Sequence, residues 1–226
     1  MVGINITEEN DLSLETISKV WKSYNRTNRR TMIDSYNLAN ARVSGGMGGM
    51  SAKEAVCLGC ATLDAAKSSR DSLNTIHLII GSYSLGSAFY LYNVLRDTNI
   101  NNQRIIVRAP KDISSYIAGE KSALGITNDD MIIISDDSNS RLTQYLDRMK
   151  IASVYVYDYN LIFNWEEYNA YINRGGHITF SDTDSIHTDP FEQIPDWEVL
   201  GSYSRFLFLR RKKENENRMH DTNQST

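Results

Sequence analysis

The stretch GSYSLGSAFYLY, residues 81–92, places two glycines and three serines within its first seven positions. Gly81 permits a sharp turn, and Gly86 lets the backbone come close to a ligand at the start of the next helix. Ser82, Ser84 and Ser87 add hydroxyls, and the unpaired amides of a helix start favour an anionic or carboxylate-bearing ligand. The Lys-Ser/Thr pair of a nucleoside triphosphate loop is missing, as is the GxGxxG spacing of a dinucleotide fingerprint. Gly81, Ser82, Tyr83 and Gly86 are therefore candidate ligand-binding residues for something other than ATP hydrolysis.

A second group of candidates is acidic. Asp158 stands in YDYN, and Asp182 and Asp184 stand in SDTD. If they follow neighbouring strands, their hard oxygens suit Mg²⁺; acids at strand ends also start loops and cap helices. Asp182-Thr-Asp184 is in addition a DxD, an arrangement that holds a divalent ion on a sugar diphosphate and would suit a glycosyltransferase. His187, in SIHTDP, is a candidate general base, whereas His177 opens an apolar run and reads as structural. Cys57 and Cys60 lie three apart in AVCLGCATL, with no second such pair to complete a zinc site, and read as two small buried thiols.

The elements around these residues fall into two textures. Residues 1–73 read as a helical extension or lid, with helices near 13–21, 31–43 and 52–67. SGGMGGM, residues 44–50, reads as a flexible loop, either a mobile lid or a linker. From residue 74 to 212 apolar runs alternate with helix-like stretches. The runs are 76–80, 104–108, 131–135, 152–157 and 177–180, continuous rather than alternating, as in parallel strands covered on both faces. Helices are expected over 87–96, 113–124, 140–149 and 165–172. WEVLGS (197–202) and RFLFLR (205–210) then read as a closing hairpin. The fold expected is α/β: a doubly wound, mostly parallel sheet, order 3-2-1-4-5-7-6, with an antiparallel C-terminal hairpin. Residues 213–226 carry almost no apolar content and read as a disordered tail. In such sheets ligands bind beyond the carboxyl ends of the strands, where both groups of candidates fall.

A net charge of −4 argues against sequence-independent attraction to nucleic acid. The basic cluster Arg210–Lys213 reads as a solvated edge rather than a nucleic-acid or acidic-lipid site. The polar, acidic start MVGINITEENDLS is unlike a secretory signal, and no apolar run approaches the roughly 20 residues of a membrane helix. A cytoplasmic protein is expected, with no membrane partner and an oligomeric state that the sequence leaves open.

The strand layout, the glycine turn after strand one and the terminal hairpin resemble class I S-adenosylmethionine-dependent methyltransferases, over about residues 70–212. The resemblance implies S-adenosylmethionine as cofactor, with its methionine part on Gly81–Gly86. It implies an acid after strand two for the ribose; here Arg-Ala-Pro-Lys-Asp stands there, with the acid at Asp112. It implies an acid after strand three for the adenine amine, matched by Asp136 or Asp137 in ISDDS. Asp158 falls at the catalytic edge after strand four, and Gly175-Gly176, behind Arg174, resembles the family's glycine turn before strand five. Asp158, Asp182 and Asp184 match the acids of metal-dependent O-methyltransferases, where a metal such as Mg²⁺ positions a hydroxyl. The expected activity is methyl transfer to a small-molecule or protein acceptor, with Asp158 and His187 catalytic. Two alternatives are a catalytically inactive methyltransferase-like scaffold and the glycosyltransferase.

Overall fold

Six consecutive buried residues, Thr75–Ile80, form β1 at the middle of a mixed sheet. The structure is a computed structural model that describes residues 26–69, 75–98, 100, 102–136, 139–157, 168–181 and 196–213. Before β1 come α1 (Arg26–Arg42) and α2 (Ala52–Ser68). After it follow α3 (Gly86–Asp97), β2 (Gln103–Ala109), α4 (Lys111–Ala123), β3 (Met131–Ser135), α5 (Asn139–Leu146) and β4 (Lys150–Val156). β5 (Ile172–Phe180), β6 (Trp197–Tyr203) and β7 (Phe206–Arg211) complete the sheet.

The seven strands lie in the order β3-β2-β1-β4-β5-β7-β6, as expected from the sequence. β1 to β5 run parallel, β7 is antiparallel to β5, and β6 is antiparallel to β7. Alternate residues of each strand feed two separate cores, which explains the continuous apolar runs. Ile79, Val107 and Tyr155 pack with α1 to α4 on one face. Leu78, Ile106 and Val154 pack with Leu142 and Leu146 of α5 and with Tyr168 on the other.

One polar residue interrupts β1. His77 is fully buried, its Nδ1 2.7 Å from the Ser153 hydroxyl and its Nε2 2.7 Å from Gln103 Oε1. The amide oxygen only accepts, so Nε2 donates to it and Nδ1 accepts from Ser153 in the neutral ring. Removal from water holds the His77 pKa down at about 4, against the opposing bond from Gln103.

Several boundaries differ from expectation. α1 starts at Arg26 rather than residue 31, and α5 stops at Leu146, with β4 beginning at Lys150. Gly175-Gly176 is not a turn before strand five but lies inside β5. Gly175 has φ +75°, and a side chain on Gly176 would meet the Ala152 and Asn173 carbonyl oxygens at 2.8 Å. The pair makes an irregularity in the strand, where the register against β4 shifts. In the closing hairpin the turn is Ser204-Arg205, one residue later than expected, with Ser204 at φ +53°. The helix expected over 13–21 and the tail after Lys213 lie outside the described residues.

The two cysteines are buried, unbridged thiols inside α2, and burial raises both pKa values, which keeps them protonated and unreactive. The basic cluster is consumed locally. Arg210 pairs with Glu198, and Arg211 binds Asp196 together with the carbonyls of Asn169 and Ile172. Among the described residues no helix is long and apolar enough to cross a membrane.

Candidate cofactor cleft

β1 ends where the sequence placed the turn. Gly81 has φ +76°, a conformation that a side chain resists, and its amide still reaches the Arg108 carbonyl at 2.9 Å. The chain then leaves the sheet plane. Ser82 is buried, its hydroxyl donating to the Ser84 carbonyl, and the Ser84 hydroxyl takes the Gly86 amide at 3.4 Å. Leu85 precedes α3 without any side-chain cap. Tyr83 projects from this turn, 53% exposed, edge-on to Tyr157 with ring centroids 6.4 Å apart.

The glycine loop 44–50 is packed onto the rest of the chain. Met47 and Met50 are buried as anchors, and Gly45, Gly46, Gly48 and Gly49 all adopt positive φ. The segment forms a strap across the glycine turn. Its start is held by Glu120 of α4, which accepts from the Ser44 amide, and by Asn40, whose Oδ1 takes the Met47 amide at 3.1 Å. Its end is held by the Tyr36 hydroxyl on the Met50 carbonyl at 3.0 Å. Between these, the Tyr157 hydroxyl donates to the Gly48 carbonyl at 3.2 Å. The strap also explains Gly86. A side chain there would collide with the Gly46 carbonyl, whose carbon lies 2.7 Å from the Cβ position, and would meet Met47 Cα at 3.2 Å. The close approach expected of a ligand at Gly86 is made on this side by the chain's own backbone.

The strap runs directly into α2. Ser51 and Glu54 form a capping box, and Glu54 reaches on to the Ser204 hydroxyl at 2.8 Å and to Arg205 at 3.6 Å in the β6–β7 turn. Burial alone would raise the Glu54 pKa. The Ser51 bonds, the Ser204 hydroxyl and the Arg205 charge outweigh it and hold the carboxyl ionised.

On the other side of the turn, Asp136 follows β3, but its carboxylate is bound by Arg108, with Nε to Oδ1 at 3.1 Å. Arg108 also bonds the Tyr168 hydroxyl at 2.8 Å and the Asp136 carbonyl at 3.1 Å. Asp112 lies in the first turn of α4, exposed, beyond the Ala109-Pro110 exit of β2. The Ser135 hydroxyl, at the end of β3 beside Ala109, is a buried oxygen with no hydrogen-bond partner among the described residues. The site thus brings together Gly81, Ser82, Tyr83 and Gly86, but places Asp112 on a helix and gives Asp136 an internal partner. Asp137, Asp158, Asp182, Asp184 and His187 lie outside the described residues. Among the described residues no group of three His, Cys, Asp or Glu could hold a metal. His177 is structural, as expected, with Nε2 2.8 Å from Asp64 of α2.

Three residues at this edge are not site candidates in the sequence: Arg108, Ser135 and Tyr157, which reads with Tyr155 and Tyr159 as a packing aromatic beside strand four. Arg108 was visible as a charge ending an apolar run, RIIVR, and Tyr157 as the neighbour of Asp158. Nothing in the sequence marks Ser135, whose significance is positional.

No protein-family model and no curated protein matches the chain in sequence. Solved structures do match in fold. An O-methyltransferase from Bacillus cereus in complex with SAH is 13% identical, with TM-score 0.51 over 88% of this chain and 96% of that one. TomG, an O-methyltransferase from Streptomyces achromogenes in complex with SAM, is 11% identical, with TM-score 0.52 over 90% and 96%. The SAH-bound methyltransferase PaMTH1 from Podospora anserina is 14% identical, with TM-score 0.50 over 95% and 99%. With its glycine turn at the exit of the central strand and an antiparallel strand inserted next to the last parallel one, the chain has the Rossmann-like fold of class I methyltransferases.

Proposed function

We propose that the protein is an S-adenosylmethionine-dependent methyltransferase acting on a small-molecule or protein acceptor. The observation that carries this reading is the Gly81–Gly86 turn at the carboxyl end of β1, within a fold shared with SAH- and SAM-bound methyltransferases. The residues present fit the cofactor at two points. The left-handed Gly81 opens the turn that would take its methionine part, and the Ser135 hydroxyl, without a partner among the described residues, offers a bond on the nucleoside side. Asp112 is the carboxylate left to meet the ribose, and Asp136 or Asp137 the adenine amine.

Bound S-adenosylmethionine supplies an electrophilic methyl group. The chain's own work is then to orient the acceptor and remove its proton, which we assign to Asp158 and His187. β4 and β5 are paired at Val156 and Phe180, and Asp158 and Asp182 each follow two residues later in the chain. That register supports Asp158, Asp182 and Asp184 as a Mg²⁺ set that would hold an acceptor hydroxyl.

The test is a titration with S-adenosylhomocysteine followed by thermal unfolding. A ligand at 100 times its Kd stabilises the folded state by about 2.7 kcal/mol. Asp112→Ala should weaken binding by about tenfold, as the loss of a charged hydrogen bond does. A repeat with Mg²⁺ and with EDTA tests the acids. One observation favours a second reading, a methyltransferase-like scaffold without activity: the Arg108–Asp136 pair occupies the acid expected to face the adenine. An unchanged melting temperature with S-adenosylhomocysteine supports the scaffold, and stabilisation by a nucleotide sugar with Mn²⁺ supports transfer from that donor at Asp182-Thr-Asp184.

A further inference from the structure

The strap over the glycine turn is tied down at both ends by helices and in its middle by the sheet. Among the described residues the sheet's contribution is one side chain, Tyr157, immediately beyond β4. Its backbone is fixed on both sides: its amide donates to the Ile80 carbonyl at 2.8 Å, and its carbonyl accepts from the Ser181 hydroxyl. The ring therefore rises from a rigid root. It meets Tyr83 of the glycine turn edge-on, and its hydroxyl meets the Gly48 carbonyl. Gly48 is shaped for that contact. It holds φ +62°, and a Cβ on it would lie 2.5 Å from the Tyr157 hydroxyl oxygen. Gly45, three residues earlier in the strap, faces Ser84 of the glycine turn, whose Cβ is 4.0 Å from the Gly45 Cβ position. Ser84 is half-buried beside the strap, and releasing Gly48 would expose it further.

We propose that Tyr157 is a positioning residue whose hydroxyl latches the strap, so that access to the glycine turn requires this bond to open. The proposal rests on the cofactor reading for its ligand, but the latch itself is a property of the ligand-free chain. A hydrogen bond of this kind shifts a local opening equilibrium by roughly three- to tenfold. The strap has one bond to the sheet edge that an atom-sized change removes, since Tyr157→Phe keeps the ring, its contact with Tyr83 and its backbone bonds.

The experiment is thiol labelling of the full chain carrying Ser84→Cys, with and without Tyr157→Phe. Cys57 and Cys60 are buried and serve as internal reporters of general loosening. The expected result is labelling at position 84 that is three- to tenfold faster with Tyr157→Phe, without added labelling of Cys57 or Cys60. Amide exchange over residues 46–50 should rise by a similar factor while β1 and β4 stay protected. Gly48→Ala, which displaces the hydroxyl from the other side, should reproduce the effect. Tyr116→Phe, on the exposed face of α4, should not. Equal labelling with and without the hydroxyl overturns the latch, and so does a rise shared by Cys57 and Cys60, which marks a structural role only. S-adenosylhomocysteine should slow labelling in both backgrounds. If it does not, the cofactor reading fails, while the ratio between the two ligand-free backgrounds still decides the latch.

Discussion

His77 stays neutral in the folded protein because its ring, fully buried between Ser153 and Gln103, has no route to water. His177 is also held down, by burial that outweighs the Asp64 hydrogen bond and charge. Both folded pKa values lie below the unfolded value near 6.5. Between the two values the unfolded chain binds more protons, so acid favours unfolding. Stability should be complete above pH 6.5 and fall as the pH drops toward 4, with His77 alone contributing on the order of 3 kcal/mol. Denaturant midpoints at pH 7 and pH 5 check this, and a flat profile would contradict the buried network. Asp64 adds to the loss only further down. Burial would raise its pKa, but the His177 bond and the charges of His177, Lys213 and Arg210 keep it below the ordinary value, so its contribution disappears as pH falls through that lowered value. Residues of this kind were half legible in the sequence. His177 could be recognised as structural from the apolar run it opens. The pairing of Asp136 with Arg108 could not, because the two are 28 residues apart in the chain and meet only when β2 and β3 lie side by side, with Tyr168 bonding Arg108 from the approach to β5.

At the scale of elements, the strands were readable because a parallel strand buried on both faces writes itself as an uninterrupted apolar run. Helix ends were less so, since α1 begins in RTNRRT, a run of polar residues ahead of its first apolar one, Met32. The packing of the glycine loop could not be read from the sequence, for a physical reason. Glycines signal freedom in the unfolded chain, but here left-handed backbone at four of them lets the strap lie backbone to backbone against α3, with two methionines inserted below. Gly86→Ala should therefore act through the strap. Its Cβ would meet backbone that cannot rotate away, costing about 1–3 kcal/mol as overpacking does and speeding exchange over residues 46–50 before any ligand is added. Gly59 makes a similar prediction within the helical layer. A Cβ there would crowd the Tyr90 hydroxyl and lie 3.1 Å from the Met32 Cγ and Sδ. Gly59→Ala should lower the urea midpoint by an amount worth about 1–3 kcal/mol, whereas Gly119→Ala, where the new atom meets nothing within 4 Å, should not.

Across the whole molecule, the last described strand is not the outermost one. β7 lies between β5 and β6, with Phe206 and Phe208 in one core and Leu207 and Leu209 in the other. A chain emerging from the ribosome makes β6 first, yet β6 has no place in the sheet until β7 arrives to separate it from β5. Removing residues 206–226 would thus strip an interior strand, strand its neighbour and expose the β5 edge, rather than trim a margin. Such a truncated chain should be insoluble or aggregate, while removal of residues 214–226 alone should leave the melting temperature within a few degrees. Because the Ser204-Arg205 turn also docks on Glu54, in the first turn of the helix that the strap runs into, β7 completes both the far side of the sheet and the support of that helix end. Nascent chains should therefore gain protease resistance late where the strap enters that helix, only once β7 has cleared the exit tunnel.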